Sequence, residues 1–144
     1  MKILIDTNVA LDYLGANKGF EEDATAIFEL ALEKKAIELV SASAVTDIYY
    51  ILKKAVKDRK QTIARFKEFR EYVHILPVTE SDIDKALERD WKDFEDAVQY
   101  TVAETNGVDY IVSRNTKDFE EAQIPCLTPK DFIAKVIQEL PDLK

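Results

Sequence analysis

Ile3, Leu4 and Ile5 form an apolar run without the alternation of a half-exposed strand, so both faces are expected to be covered, as in a parallel sheet between helices. The run stops at Asp6 and passes through Thr7 and Asn8 into a helical pattern from Val9 to Leu14, ended by Gly15. From Phe20 to Lys35, the residues Phe20, Ala24, Ile27, Phe28, Ala31 and Leu32 recur at helical spacing. A second short strand is read over Ile37 to Val40. Ser43 is then a plausible cap for a helix with Val45, Ile48, Tyr49, Leu52 and Val56 on one face. A further helix, from about Gln61 to Val73, leads into a strand from His74 to Val78, where Pro77 marks an edge or an end. Thr79 or Ser81 caps a helix through Arg89, and Trp91 is read as packing between helices. Phe94, Ala97, Val98, Thr101 and Val102 form the next stripe, stopped by Asn106 and Gly107. Tyr110 to Val112 is a fourth strand, a short strand follows near Cys126 and Leu127, and Pro129 opens a last helix to about Glu139. This alternation predicts a doubly wound α/β fold with four or five parallel strands.

Composition narrows the setting. A chain of 144 residues with 47% hydrophobic content is the size of one domain, and its 3 Gly and 4 Pro are spread out, so a single domain over 1–144 is expected. The lone Cys126 excludes an internal disulfide framework and fits a reducing cytoplasm. No targeting or membrane-spanning run is visible, so a soluble cytoplasmic protein is expected. The net charge of −8 argues against a polyanion partner. Between Lys53 and Arg70, however, eight basic residues face two acidic ones, a local +6 that leaves −14 to the rest. That stretch is either a solvated helix face or a phosphate-facing stripe beside an acidic site, in which Lys53, Lys54 and Lys57 are the candidate contacts. His74, the only histidine, is read as a half-buried strand residue, because no second His or Cys stands at metal-ligand spacing.

The candidate chemistry lies in carboxylates at strand-to-helix junctions. Asp6 follows the first strand, where it either caps the next helix or faces the crevice in which open α/β sheets bind ligands. Asp47 falls early in the helix after Ser43, where the helix dipole also favours an acid. Asp93 and Asp96, three apart, project from one side of a helix start. The fourth strand runs into Ser113, Arg114, Asn115 and Asp118. Were Asp6, Asp47, Asp96 and Asp118 to converge, their mutual repulsion would call for a cation, and oxygen-only ligands select a hard one such as Mg²⁺ or Mn²⁺. Such a site suits hydrolysis of a phosphodiester by activated water. No Ser-His or Cys-His pair and no Gly-rich phosphate loop offers a rival.

Asp6-Thr7-Asn8 after the first strand, the acid after Ser43, the start Asp93-Phe94-Glu95-Asp96, and Val112 through Phe119 together resemble the PIN-domain family, specifically the VapC-like toxin ribonucleases of toxin–antitoxin pairs. The resemblance spans roughly residues 2 to 135. It implies a three-layer α/β/α fold and an endoribonuclease dependent on Mg²⁺ or Mn²⁺, with Asp6, Asp47, Asp96 and Asp118 as catalytic acids and metal ligands. Thr7, Asn8, Asp93 and Asn115 would support them, and Arg114 would join the lysines in contacting RNA. It also implies a homodimer, for which the helix carrying Tyr49 and Tyr50 is the candidate surface, and an antitoxin protein whose segment occupies the site. Two positions depart from the family's habit: Asp47 replaces the usual Glu, and Asn115 stands where many members carry an acid. These departures and the net charge leave open a PIN-like module that binds RNA or protein without cutting. A phosphatase of the haloacid-dehalogenase kind would need a second Asp where this chain has Asn8.

Overall fold

The computed structural model describes residues 1–119 and 122–139. Five strands, β1 (Lys2–Ile5), β2 (Ile37–Ser41), β3 (Val73–Leu76), β4 (Tyr110–Val112) and β5 (Cys126–Leu127), form one sheet in the order β3-β2-β1-β4-β5. Every pairing is parallel, with Ile3 opposite Glu38 and Tyr110, and Ile5 opposite Val112. The connections run through α1 (Thr7–Leu14), α2 (Glu21–Leu32), α3 (Ala42–Val56), α4 (Arg59–Phe69), α5 (Glu80–Arg89), α6 (Phe94–Thr105) and α7 (Pro129–Glu139).

Helices on both faces of the sheet account for the unbroken apolar run of β1. Ile3, Ile5, Val40, Val73 and Val112 point to one side, into a core shared with Val9, Ile27, Ile48, Phe69 and Phe132 from α1, α2, α3, α4 and α7. Leu4, Leu39 and Ile111 point to the other side, against Tyr100 and Ala103 of α6 and Phe119. Ala86 of α5 packs on the outer side of α6. On the first side the rings of Tyr13 and Phe28 stack at 4.1 Å, locking α1 to α2, and Phe69 of α4 lies 5.7 Å from Phe28. At the end of α1, Gly15 takes the left-handed conformation with φ +90°, and a Cβ there would come within 3.1 Å of the Arg65 guanidinium, which donates to the Leu14 carbonyl.

Several boundaries shift from the sequence reading. The α3 cap is Ser41, whose hydroxyl accepts from the Ser43 amide, so the helix starts earlier and Asp47 lies beyond its first turn. The helix-dipole explanation of Asp47 therefore falls away, because that interaction fades within one turn. Thr79 rather than Ser81 caps α5, in a reciprocal box with Asp82. His74 is exposed, because β3 is an edge strand and His74 lies on its open surface. Phe94 and Phe20 are also exposed, at 45% and 42%, so neither belongs to the core stripe of its helix.

Chain order determines where a site can form. From β1 the chain steps outward to β2 and β3, then returns to β4 on the other side of β1. The carboxyl ends of β1 and β4 thus flank the point where the winding reverses, the place at which such sheets leave a crevice. Asp6 follows β1 there and Ser113 follows β4.

Candidate active site

Asp6 is the most constrained residue of this crevice. Its amide extends the ladder by donating to the Val112 carbonyl at 3.0 Å, which places the side chain at the sheet edge. One carboxylate oxygen accepts from the Thr7 amide at 2.8 Å, capping α1, and from the Gln99 side chain at 3.2 Å. The other accepts from the Ser113 hydroxyl at 2.7 Å and from the Asn8 amide group at 3.4 Å. The two readings of Asp6, as a cap and as a site residue, are therefore compatible. Burial pushes its pKa up, the bonds from Ser113, Thr7 and Gln99 oppose that, and the charge of Asp118 adds to the rise.

Asn8 carries no charge but ties the two strand ends together. Its amide nitrogen reaches the Ser113 hydroxyl at 3.3 Å and its oxygen accepts from the Arg114 amide at 3.1 Å. Ser113 also accepts from the Asn115 amide at 3.0 Å, which turns the chain toward Asp118 in the 3₁₀ turn Thr116–Phe119. Asn115 and Asp118 are both exposed at the rim. The hydroxyl of Thr7 and the side-chain oxygen of Gln99 are buried without partners.

The second set of acids stands at the start of α6. Asp93 is the N-cap, its carboxylate accepting from the Asp96 amide at 3.0 Å, so its part is to aim that turn. Asp96 is buried and its pKa rises to about 7 through desolvation and the charges of Asp6, Asp93, Asp118 and Glu95. Glu95 also rises to about 7, through burial and then Asp47, which both repels it and hydrogen-bonds to it. Asp6, Asp47, Asp96 and Asp118 thus share one electrostatic neighbourhood, with Asp47 entering it through Glu95. Glu95 and Gln99 were not among the site residues expected from the sequence. The two acids in the first turn of α6, just after the Asp93 cap, are a signal for Glu95, whereas Gln99 lies one turn beyond Asp96 and had no signal beyond that spacing.

The four basic residues chosen from sequence fare differently. Arg114 is not a free cation: its Nε and a terminal nitrogen grip the buried carboxylate of Asp12 at 2.7 and 3.2 Å, and its guanidinium lies 3.9 Å over the Phe20 ring. Lys53, Lys54 and Lys57 are exposed, but at the far end of α3. Since α3 runs back along the sheet from β2, Lys54 sits seven residues from Asp47, about 10 Å along the axis at 1.5 Å per residue. Lys53, Lys54 and Lys57 thus lie about 9–15 Å from Asp47 along α3.

Among the described residues, no three Asp, Glu, His or Cys side chains stand close enough to hold a metal ion together. The donor set nevertheless fits a hard cation of the Mg²⁺ type, which is held by one or two carboxylates and keeps its waters. Burial and then the neighbouring acids keep Glu95 and Asp96 partly protonated near neutrality, and the orphaned oxygen belongs to Gln99, whose amide nitrogen bonds to Asp6.

Three comparisons bear on this arrangement. The chain is 29% identical over 87 residues to the Ribonuclease VapC1 of Aquifex aeolicus, a match covering 60% of this chain and 59% of that protein. The VapC20 structure of Mycobacterium tuberculosis, described as a sarcin-ricin loop cleaving toxin, superposes with a TM-score of 0.59 at 18% identity over 76% of this chain and 86% of that one. A toxin-antitoxin complex from Klebsiella pneumoniae gives 0.62 at 22% identity over 88% and 97%. These structural likenesses speak for the fold. The family model of the PIN domain matches residues 2–117, which contain the whole acid cluster but for Asp118, and the chain belongs to the PIN-domain family.

Proposed function

We propose that this chain is a divalent-metal-dependent endoribonuclease that hydrolyses RNA phosphodiester bonds and is the toxin of a toxin–antitoxin pair. The observation that carries the reading is the buried Asp6 at the sheet's switch point, with Asp96, Asp118 and Glu95 in electrostatic reach of it. The names of the Aquifex relative and of the toxin structures support the reaction and the biological setting.

In this scheme Asp6 and Asp96 would hold Mg²⁺ or Mn²⁺, with Asp118 at the rim. When bound, that ion supplies charge neutralisation at the phosphate and activation of water. Asp6 is held in one orientation by Thr7, Ser113 and Gln99, so it loses little freedom on binding. Glu95, whose pKa lies near 7, can accept the proton of the attacking water at neutral pH. Asn115, exposed at the rim, can donate to a phosphoryl oxygen.

Two protein partners belong to the proposal. A second copy of the chain would sit on the outer face of α3, where Tyr50 is 66% exposed and Ile51 44% exposed. A protein antitoxin would cover the site. Among the described residues no helix is long and apolar enough to cross a membrane.

The experiment is to incubate pure protein with a labelled structured RNA and with single-stranded DNA, with and without Mn²⁺, beside Asp6→Asn. Cleavage of RNA that needs both the metal and Asp6 supports the assignment, and equal cleavage by Asp6→Asn ends it. The spread of the acids favours one second reading, a PIN-like module that binds RNA or protein without cutting. Metal-dependent turnover by pure protein would eliminate that reading.

A further inference from the structure

A cleft of about 330 Å³ opens between α1, the start of α2 and the segment after β4, at the lower end of the range of about 300–1,000 Å³ for small-ligand sites. Its lining includes Asp12, Phe20, Asp23, Arg114, Asn115 and Lys130. Asn115 connects it to the acids, since its amide bonds to the Ser113 hydroxyl and that hydroxyl bonds to Asp6. A chain of nucleotides with one phosphate at Asp6 therefore has a neighbouring residue at this cleft.

Arg114 is built into the wall in an unusual way for a cation. The edge of its guanidinium is spent on Asp12, which is 1% exposed, and one face rests on Phe20 at 3.9 Å. The bidentate pair fixes the plane of the group and neutralises its charge. The side chain remains 31% exposed. A neutralised, planar, rigid guanidinium is a poor phosphate contact but a suitable surface for a nucleobase, since bases in RNA recognition stack on Arg planes and aromatic rings. Asp23 on the same wall further disfavours a phosphate inside the cleft, whereas the exposed Lys130 at its rim suits one outside.

We propose that this cleft is a nucleobase subsite, in which Arg114, clamped by Asp12 and backed by Phe20, is the platform on which the base of a nucleotide flanking the scissile phosphate stacks. The inference rests on the ribonuclease reading and adds a determinant of which nucleotide lies next to the cut.

The test uses the full chain and an RNA hairpin in which the wild-type cut site has been mapped. kcat and KM are measured for wild type, Phe20→Leu and Arg114→Lys, on the intact hairpin and on versions with an abasic residue at each position flanking the cut. Base stacking is worth about 1–3 kcal/mol, so a loss of about 5- to 150-fold in affinity is expected. In the wild type, one abasic position should raise KM by about that factor with little change in kcat. Arg114→Lys, which removes the stacking plane, should raise KM on the intact hairpin, and that abasic position should then cost it nothing further; Phe20→Leu, which removes the backing, should raise KM by a smaller factor. Phe20 is 42% exposed and lies outside the buried core, so its change to Leu should leave the thermal midpoint nearly unchanged, which separates a stacking role from a structural one. The subsite is overturned if every abasic position costs Arg114→Lys as much as it costs the wild type. If wild-type protein cuts no RNA at all, the ribonuclease reading falls and takes the subsite with it.

Discussion

Glu38 offers a direct measurement of what this core tolerates. It lies on β2 between Ile3 and Val73, on the face that packs against α1 and its neighbours, is 0% exposed, and neither carboxyl oxygen has a partner. Burial pushes its pKa from 4.5 up to about 9, so the folded chain holds this proton at neutral pH. The unfolded chain releases it above about 4.5. Between those values the unfolded state binds fewer protons than the folded one, and stability falls as pH rises, by about 1.4 kcal/mol per pH unit. At pH 7 the ionisable group therefore costs about 3 kcal/mol relative to a group of the same shape that cannot ionise. Glu38→Gln is that group. Urea unfolding of both proteins at pH 5, 6, 7 and 8 should show a stability difference near zero at the acid end that grows in favour of the variant with each unit. Contributions from Asp6, Glu95 and Asp96 are common to both proteins and cancel. A difference that stays constant from pH 5 to pH 8 would refute the reasoning, because the carboxyl would then not be holding a proton that unfolding releases.

Other expectations follow from the site and its surroundings. Millimolar Mn²⁺ should raise the melting temperature, by the equivalent of about 2.7 kcal/mol at a hundred times Kd. Because Glu95 and Asp96 hold protons up to about pH 7, that shift should shrink between pH 8 and pH 6, and no shift at either pH would count against a formed metal site. Asp6→Asn should lower kcat/KM by about a hundredfold or more, since residues that merely orient metal ligands already cost about 10–100-fold when changed; a loss below tenfold would remove Asp6 from the machinery. Asp12→Asn should cost about 3 kcal/mol in urea unfolding by leaving Arg114 without its buried partner, and a cost under about 1 kcal/mol would show that the pair is not structural. Changing Lys53, Lys54 and Lys57 together to Glu should flatten the salt dependence of KM while leaving kcat unchanged, because these residues lie about 9–15 Å from Asp47 along α3. A fall in kcat of the triple variant would place them nearer the chemistry than the helix does.

The strand ends were legible in the primary structure for a physical reason. A parallel strand covered on both faces must be apolar throughout, so the residue at which polarity returns marks the carboxyl edge, and Asp6 and Ser113 could be placed there before any coordinates. Local chemistry likewise foretold the Asn106–Gly107 stop and narrowed the α5 cap to Thr79 or Ser81, of which Thr79 is the cap. What local patterns could not reveal were relations between residues far apart in the chain. Arg114 reads as a cation until Asp12, 102 positions earlier, is brought against it by the pairing of β1 with β4. Gln99 reads as a polar helix residue until α6 crosses the sheet and its side chain meets Asp6. Glu38 could not be told from a surface glutamate, because its burial depends on helices laid over β2 from elsewhere in the sequence. The lysine stripe could not be placed from the sequence for the complementary reason: charge density along the chain is a local quantity, whereas distance to the acids is set by the direction in which α3 leaves the sheet. Periodicity and termination are properties of short segments, and those the sequence encodes openly. Partnership, burial and the proton equilibria that follow from them arise only when the segments pack.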